Sequence, residues 1–437
     1  MIKHLSVKGY RLFRDFETDL QPGFNLLIGA NGSGKSTFTE ALRILHGCAE
    51  KPLPPGLEDR QAIGEPFHPD ANGTATFIVE LSLPAATVSL PKRPMPPFEV
   101  CPAGGRSAYT YAITLKGATP PVISAEELWR PCSPESERQV PRSLIKDQEE
   151  ALGVGPGIVP GKGQYRILRA SAGRGEMAER QNSDTWHLGP NEPMLSRAAD
   201  RDHYPECSLV RNTLSLWRFY TQIRIDRDSR QRLGSPIGGG TVLDDTAGNL
   251  IPVLLSLTTN VEYRAQSEEL LGFLRTAIPE FETLRATPDS SGKYAVLQWR
   301  ERDLNATLSS ADLSDGILRL LVLGVICCNP NPPSLICIDE PEIGVHPRLL
   351  PLVGGLLQRA SDRSQVIVLT HSPDLLYDVP LESIAVLRKR EGEAQIVWPR
   401  NHDLLYHILT EEIAGERQVD YDRLRLAHAS GEMDELE

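Results

Sequence analysis

The chain lacks any apolar run of the roughly 18 residues that a membrane-spanning helix needs. The best candidate, Ile317 to Cys328, is short and broken by Arg319. Nothing at Met1-Ile2-Lys3-His4 has a signal-peptide design, because the chain enters a strand-like alternation at once, so a cytoplasmic protein with no membrane contact is expected. Cysteine is scarce: Cys48, Cys101, Cys132, Cys207, Cys327, Cys328 and Cys337 form no C-x-x-C pair and have no histidine at ligand spacing. That argues against structural zinc and against a disulfide framework. Internal repeats and sustained heptads are missing as well, which argues against a solenoid and against long coiled-coil arms. A general excess of positive charge is also absent. The net charge of −12 is not that of a constitutive nucleic-acid binder.

Charge is unevenly spread. Residues 401–437 hold ten Asp/Glu against three Arg and no Lys, whereas Pro160 to Arg232 holds thirteen Lys/Arg against nine Asp/Glu. The arginines of the second stretch follow no single-face pattern, so a solvated mixed-charge surface is the plainer reading and a nucleic-acid track the alternative. With 437 residues, 40% of them apolar, the chain is long enough for two or three folded units.

What is present begins with Gly29-Ala30-Asn31-Gly32-Ser33-Gly34-Lys35-Ser36, which fits G-x-x-x-x-G-K-[ST] at every position. The buried strand pattern Phe24 to Ile28 precedes it and an amphipathic helix from Ser36 to Leu45 follows, which is the context this motif requires. A triphosphate needs many donors at short range, and glycine alone lets backbone N–H groups turn inward so closely. Gly29, Asn31, Gly32 and Gly34 form that cradle. Lys35 adds a point charge at the β- and γ-phosphates, Ser36 offers its hydroxyl to Mg²⁺ with Thr37 beside it, and the helix N-terminus adds its positive end.

Ile2 to Tyr10 and Phe16 to Leu20 alternate as strands, as do Thr74 to Leu81 and Ala108 to Leu115. The latter two are expected to form a hairpin with a long proline-rich tip, and Lys51 to Pro69 a loop. Ser124 to Leu214 is poorly legible apart from one helix pattern, Pro141 to Leu152. The glycine-rich run Gly153 to Gly163 lacks a G-K-[ST] ending and is not a second phosphate loop. Trp217 to Ile225 reads as a strand, Asn249 to Leu257 and Tyr263 to Ile278 as helices, and Phe281 to Ala286 with Tyr294 to Trp299 as a hairpin.

Chemistry returns near the carboxyl end. Leu313-Ser314-Asp315-Gly316 opens an apolar helix, and Ser314 is placed to cap it. Ser334 to Ile338 is an apolar strand ending in Asp339 and Glu340. His346 orders the start of an amphipathic helix at Pro347, and Gln365 to Leu369 is a buried strand ending in Thr370-His371-Ser372. Strand, helix, strand with polar residues at the carboxyl ends describes a mostly parallel sheet with its ligand at that edge.

These motifs, in this order, resemble those of an ABC-type ATPase head: the soluble branch that includes RecF, the heads of structural-maintenance-of-chromosomes proteins and the ATPase part of OLD-family nucleases. Standalone AAA-labelled bacterial ATPases of antiphage systems such as Septu are similar in layout. The resemblance covers residues 1–118 and 290–400. It implies an α/β P-loop NTPase fold, an ABC-type split head with a mixed sheet, plus an inserted α+β arm or lid at 119–289 and an acidic helical tail at 401–437.

The resemblance also implies roles. Asp339 would hold the Mg²⁺ shell with Ser36, and Glu340 would position and polarise the attacking water. His371 would act as a switch at the γ-phosphate. Ser314 and Gly316 would reach the γ-phosphate of ATP held by a second copy, so that two heads sandwich two ATP. The family's usual L-S-G-G-Q has Asp315 in third place and Ile317 in fifth here. Arg11, in Gly9-Tyr10-Arg11-Leu12-Phe13, matches the place of an arginine near the nucleotide, and Gln61 is a poor fit for the glutamine loop.

The expected function is an ATP-hydrolysing homodimer or higher oligomer acting as a switch in antiphage defence or a DNA-related system. Its effector would be a separate protein, because the stretch after His371 is short for a nuclease and shows no metal-nuclease carboxylate cluster. Alternatives are a RecF-like repair ATPase that binds DNA directly, and an ATP-held assembly scaffold with negligible turnover. A transporter subunit fits least, given the insertion and the altered signature.

Overall fold

Period-two burial organises the beginning of the chain, and continuous burial organises the strands that follow the phosphate-loop pattern. In a computed structural model, residues 1–50, 53, 67–84, 106–116, 122–129, 163–165, 186–188, 191–199, 205–221, 223–238, 240–399, 410–413 and 416–419 are described. In chain order come β1 (Ile2–Tyr10), β2 (Phe13–Asp19), β3 (Phe24–Ile28), α1 (Lys35–Gly47), β4 (Thr74–Pro84), β5 (Arg106–Lys116) and β6 (Val122–Trp129). Then follow β7 (Gly163–Tyr165), β8 (Trp186–Leu188), α2 (Met194–Arg197), α3 (Pro205–Ser215), β9 (Trp217–Tyr220), β10 (Ser235–Pro236), α4 (Leu250–Thr259) and α5 (Arg264–Ala277). The carboxyl part holds β11 (Phe281–Pro288), β12 (Tyr294–Glu301), α6 (Asp315–Cys327), β13 (Leu335–Asp339), α7 (Leu350–Ala360) and β14 (Gln365–Thr370). β15 (Ile384–Arg390), β16 (Glu393–Val397), β17 (Thr410–Ile413) and β18 (Glu416–Val419) complete it.

Two compact units share these elements. The first comprises Met1–Pro22, Gly34–Leu216 and Lys389–Ile396. Its sheet is antiparallel throughout, in the order β2-β1-β4-β5-β6. Ala75, Phe77, Val79, Leu81 and Leu83 of β4 face the same side as Tyr109, Tyr111, Ile113 and Leu115 of β5, and all are buried. The rings of Phe13 and Phe16 stack at 4.0 Å, and Phe16 meets Phe38 of α1 edge-on at 6.1 Å.

Glu126 on β6 is the one carboxylate buried in this unit's core among the described residues. It accepts hydrogen bonds from the Met194 N–H at 2.7 Å, the Leu195 N–H at 2.9 Å and the Tyr111 hydroxyl at 2.9 Å. The two N–H donors begin α2, so Glu126 caps a short helix from a distant strand. Burial still pushes its pKa upward against the lowering effect of the three donors.

The second unit comprises Gly23–Ser33, Trp217–Arg388 and Val397–Glu437. Its strands run β15-β3-β14-β13-β9 with every neighbouring pair parallel. β3 and β14 are buried at every residue and β13 at four of five. Near-continuous apolar runs are the mark of a parallel sheet covered on both faces. Leu26, Ile28, Ile336, Ile338, Val366 and Val368 share one core with α4, α5, α6 and α7. A smaller antiparallel sheet, β10-β12-β11, joins that core through Phe281 and Trp299, whose rings lie 4.5 Å apart.

Several expectations shift. The boundary at 118/119 falls between β5 and β6, which pair along their length, and the one at 289/290 falls in the turn of the β11–β12 hairpin, so both cut a sheet. The tail expected to be helical contains the antiparallel pair β17–β18, where Glu411 and Glu412 face Gln418 and Arg417. Charge counting carried no periodicity there. The strand expected to reach Ile225 ends at Tyr220, and the helix expected at Pro347 opens with a 3₁₀ turn, Pro347–Leu349, capped by His346 Nδ1. The expected helix at 141–152, the run 153–162 and the tip at 85–105 lie outside the described residues. Among the described residues no helix is long and apolar enough to cross a membrane, and no cluster of His, Cys, Asp and Glu has the makings of a metal site.

Replacing Glu126 by alanine strips three donors of their acceptor. Urea unfolding should show a loss of about 1–3 kcal/mol, the cost of leaving buried donors unpaired.

Candidate nucleotide site

Register aligns the ends of three parallel strands. Ile28 pairs with Thr370 and Leu369 with Asp339, so β3, β14 and β13 finish at one edge of the second unit. Gly29 follows β3 there, Glu340 follows β13 and His371 follows β14.

Gly29 is required by packing. A Cβ on it would lie 2.4 Å from the Leu387 carbonyl oxygen and 2.6 Å from Ser33 Oγ. The loop then bends back, with the Ser33 N–H donating to the Ala30 carbonyl at 3.3 Å. Ser33 Oγ is buried with no hydrogen-bond partner among the described residues, while Asn31 and Gly32 are exposed. Gly32 and Gly34 hold φ of 79° and 111°, the left-handed region that glycine enters without strain. The chain passes from the second unit to the first between Ser33 and Gly34. In the first unit Lys35, Ser36 and Thr37 begin α1, with Lys35 and Thr37 buried and Ser36 exposed. The first turn of α1 carries no acidic residue and no side-chain cap, the setting in which a helix N-terminus favours an anion.

Asp339 is half-buried at the end of β13. Glu340 adopts φ of 51°, unusual for a residue with a side chain, and its N–H donates to the Leu369 carbonyl at 2.8 Å. The turn directs its carboxylate to His371, with Oε1 3.0 Å from Nε2. One residue type was missed by sequence reading. Glu342 Oε1 accepts from Thr370 Oγ1 at 2.7 Å, from the His371 N–H at 2.9 Å and from the Ser372 N–H at 3.2 Å. The signal for it was a third carboxylate two positions after Glu340, beside a strand end rich in donors. Its Oε2 is buried and has no partner among the described residues.

Ser314 caps α6, accepting from the Ile317 N–H at 3.3 Å. Its hydroxyl proton stays available while a lone pair serves the cap. Asp315 pairs with Arg232. Arg319, one turn into α6, and Arg224 line a cleft of about 350 Å³ together with Tyr220, Thr221, Asp339 and Glu340. Burial raises the pKa of the Tyr220 phenol, which donates to the Leu243 carbonyl at 3.1 Å. Arg11 belongs to the first unit. It has φ of 50°, lies over the Tyr10 ring at 5.7 Å, and pairs with Glu40 on α1 at 2.9 Å. Gln61 lies outside the described residues.

Comparison with known proteins adds two family models, "AAA domain, putative AbiEii toxin, Type IV TA system" over residues 192–376 and "AAA ATPase domain" over residues 1–65. Both models describe AAA-type ATPase domains, and over those residues the chain is similar to them. Its fold is that of an α/β P-loop NTPase. The head is similar over 56 residues, at 45% identity, to the DNA replication and repair protein RecF of Salmonella typhi and of Salmonella newport. That match covers 13% of this chain and 16% of the RecF proteins. Solved structures that resemble the head at 13% identity include an SmcHead bound to the C-winged helix domain of ScpA, with a TM-score of 0.49 over 91% of this chain and 97% of that one. The SMC head domain from Thermotoga maritima has a TM-score of 0.40, over 91% of this chain and 98% of that one.

In Glu342→Ala the three donors of the His371 loop lose their shared acceptor. Hydrogen exchange at the His371 and Ser372 amides should then speed up by about ten- to a hundredfold, with the amides of β14 itself unchanged.

Proposed function

We propose that this head binds ATP with Mg²⁺, hydrolyses it, and pairs with a second copy around two nucleotides, acting as a switch for a separate effector protein. The observation that carries this reading is the alignment of Gly29, Asp339-Glu340 and His371 on one edge of a parallel sheet, with the phosphate-loop sequence continuing from Gly29. Glu340 is the group to orient the attacking water and His371 the one to hold it and the γ-phosphate, a role its contact with Glu340 supports. Gly29, Asn31, Gly32, Gly34, Lys35, Ser36 and Thr37 are the phosphate ligands by motif. Ser36 and Asp339 are the oxygen donors to Mg²⁺, the donor chemistry that ion prefers. Bound there, Mg²⁺ would neutralise charge developing on the β- and γ-phosphates. Ser314 and Gly316 are the groups offered to the nucleotide of the second copy.

The family model named for a putative AbiEii toxin of a toxin–antitoxin system supports a defence role for this cytoplasmic switch. The partial likeness to RecF supports the second reading, direct action on DNA. Against that second reading, three arginines of the basic stretch are used internally. Arg232 and Arg211 donate to carbonyls of their own units, and Arg197 pairs with Glu192.

The deciding experiment is the solution mass of Glu340→Gln with and without Mg-ATP, since this variant should bind ATP and fail to hydrolyse it. Doubling on addition of ATP is expected. A mass fixed at one chain would overturn the paired-head mechanism. Lys35→Ala should bind a fluorescent ATP analogue at least about a hundredfold more weakly, because a charge-assisted contact to phosphate is lost.

A further inference from the structure

The segment that carries Ser314 is built around a buried arginine. The Arg232 side chain is 8% exposed, while that of its partner Asp315 is 68% exposed. Arg232 Nη1 donates to the Leu313 carbonyl at 2.7 Å and also lies within reach of the Ala311 and Ser310 carbonyls at 3.3 and 3.4 Å. Nη2 donates to Asp315 Oδ1, and Nε to the Asp226 carbonyl at 3.1 Å. Ser310 Oγ closes the arrangement by donating to the Arg232 carbonyl at 2.9 Å. One planar guanidinium thus holds residues 310–315 through two nitrogens and ties them to Asp226 through the third, a geometry that a lysine ammonium cannot reproduce.

The chemistry at Asp315 gives the pair a purpose beyond support. Asp315 lies between Ser314 and Gly316, in the segment that would approach a phosphate. A bare carboxylate there would repel a multiply charged anion. We infer that Arg232 is the positioning residue of the altered signature: it sets the Ser314 loop and neutralises Asp315, so that an acidic signature can approach the nucleotide of a second copy. The inference rests on the paired-head reading proposed above.

The test uses full-length chain in the E340Q background, with Mg-ATP saturating. Dimer dissociation constants come from sedimentation, and nucleotide affinity from titration with a fluorescent ATP analogue. R232M should leave nucleotide affinity unchanged and weaken dimerisation about tenfold, the factor expected for losing a modest part of a buried charge pair. Adding D315N to R232M should recover about threefold, because it removes the unneutralised carboxylate; a purely structural role for Arg232 predicts no such recovery. R232K, which keeps the charge but not the fork of donors, should weaken dimerisation by about threefold, and it decides the matter if R232M fails to fold. An E340Q parent that dimerises with ATP while R232M and R232K dimerise equally well overturns this inference alone. An E340Q parent that stays at one-chain mass overturns the paired-head reading, and this inference with it.

Discussion

Parallel pairing of three short strands, β3, β14 and β13, is the constraint on which the candidate site depends. These strands are apolar nearly throughout, and their backbone groups pair in fixed register with one another and with the flanking β9 and β15. Polar side chains are therefore admitted only where the strands stop. Asp339 is the first residue of β13 to escape full burial, and Glu340 the first to leave the strand. The left-handed conformation of Glu340 costs about 1–3 kcal/mol. It persists because its N–H bonds to the Leu369 carbonyl and its carboxylate reaches His371. Strain at that residue is part of how the edge is aimed.

An acidic chain has to manage carboxylates crowded near the place where an anion is to bind. Asp339, Glu340 and Glu342 fall within four residues, and each is handled differently. Glu340 meets an imidazole, and Glu342 is saturated on one oxygen by three donors from the next strand end. Asp339 remains half-buried beside the cleft that Arg224 and Arg319 also line. Asp315, farther along the fold, is matched by Arg232. Local compensation of this kind would let a protein of net charge −12 offer the proposed phosphate site.

Much of this was legible in the sequence because it is local. The glycines of the phosphate loop, the apolar runs at β3, β13 and β14, and the Ser314 cap are each decided by neighbours within a few residues. β6 was not legible, because Glu126 and Glu127 break its apolar pattern and the burial of Glu126 is made tolerable by donors on α2 and by the Tyr111 hydroxyl. Arg232 read as one more member of a solvated basic stretch. Its acceptors are backbone carbonyls near position 311, which neither composition nor spacing can reveal. Glu342 escaped for a similar reason: its three donors come from a strand end reached only after a helix and a further strand.

Helix α6 joins two parts of the candidate site. Its N-cap is Ser314, and one turn later Arg319 reaches the cleft beside Glu340. Gly344, in the loop that follows Glu342, has φ of 73° and would meet Arg319 Nε at 2.6 Å if it carried a Cβ. The absence of a side chain there lets the arginine lie against the carboxylate loop. Leu318, Leu321, Val322 and Val325 anchor the same helix in the core. A packed core resists gradual deformation, so a shift of α6 large enough to move Ser314 must also displace Arg319 from Gly344. Within this unit, a shift of the Ser314 segment is therefore coupled to the contact that Arg319 makes with the carboxylate loop.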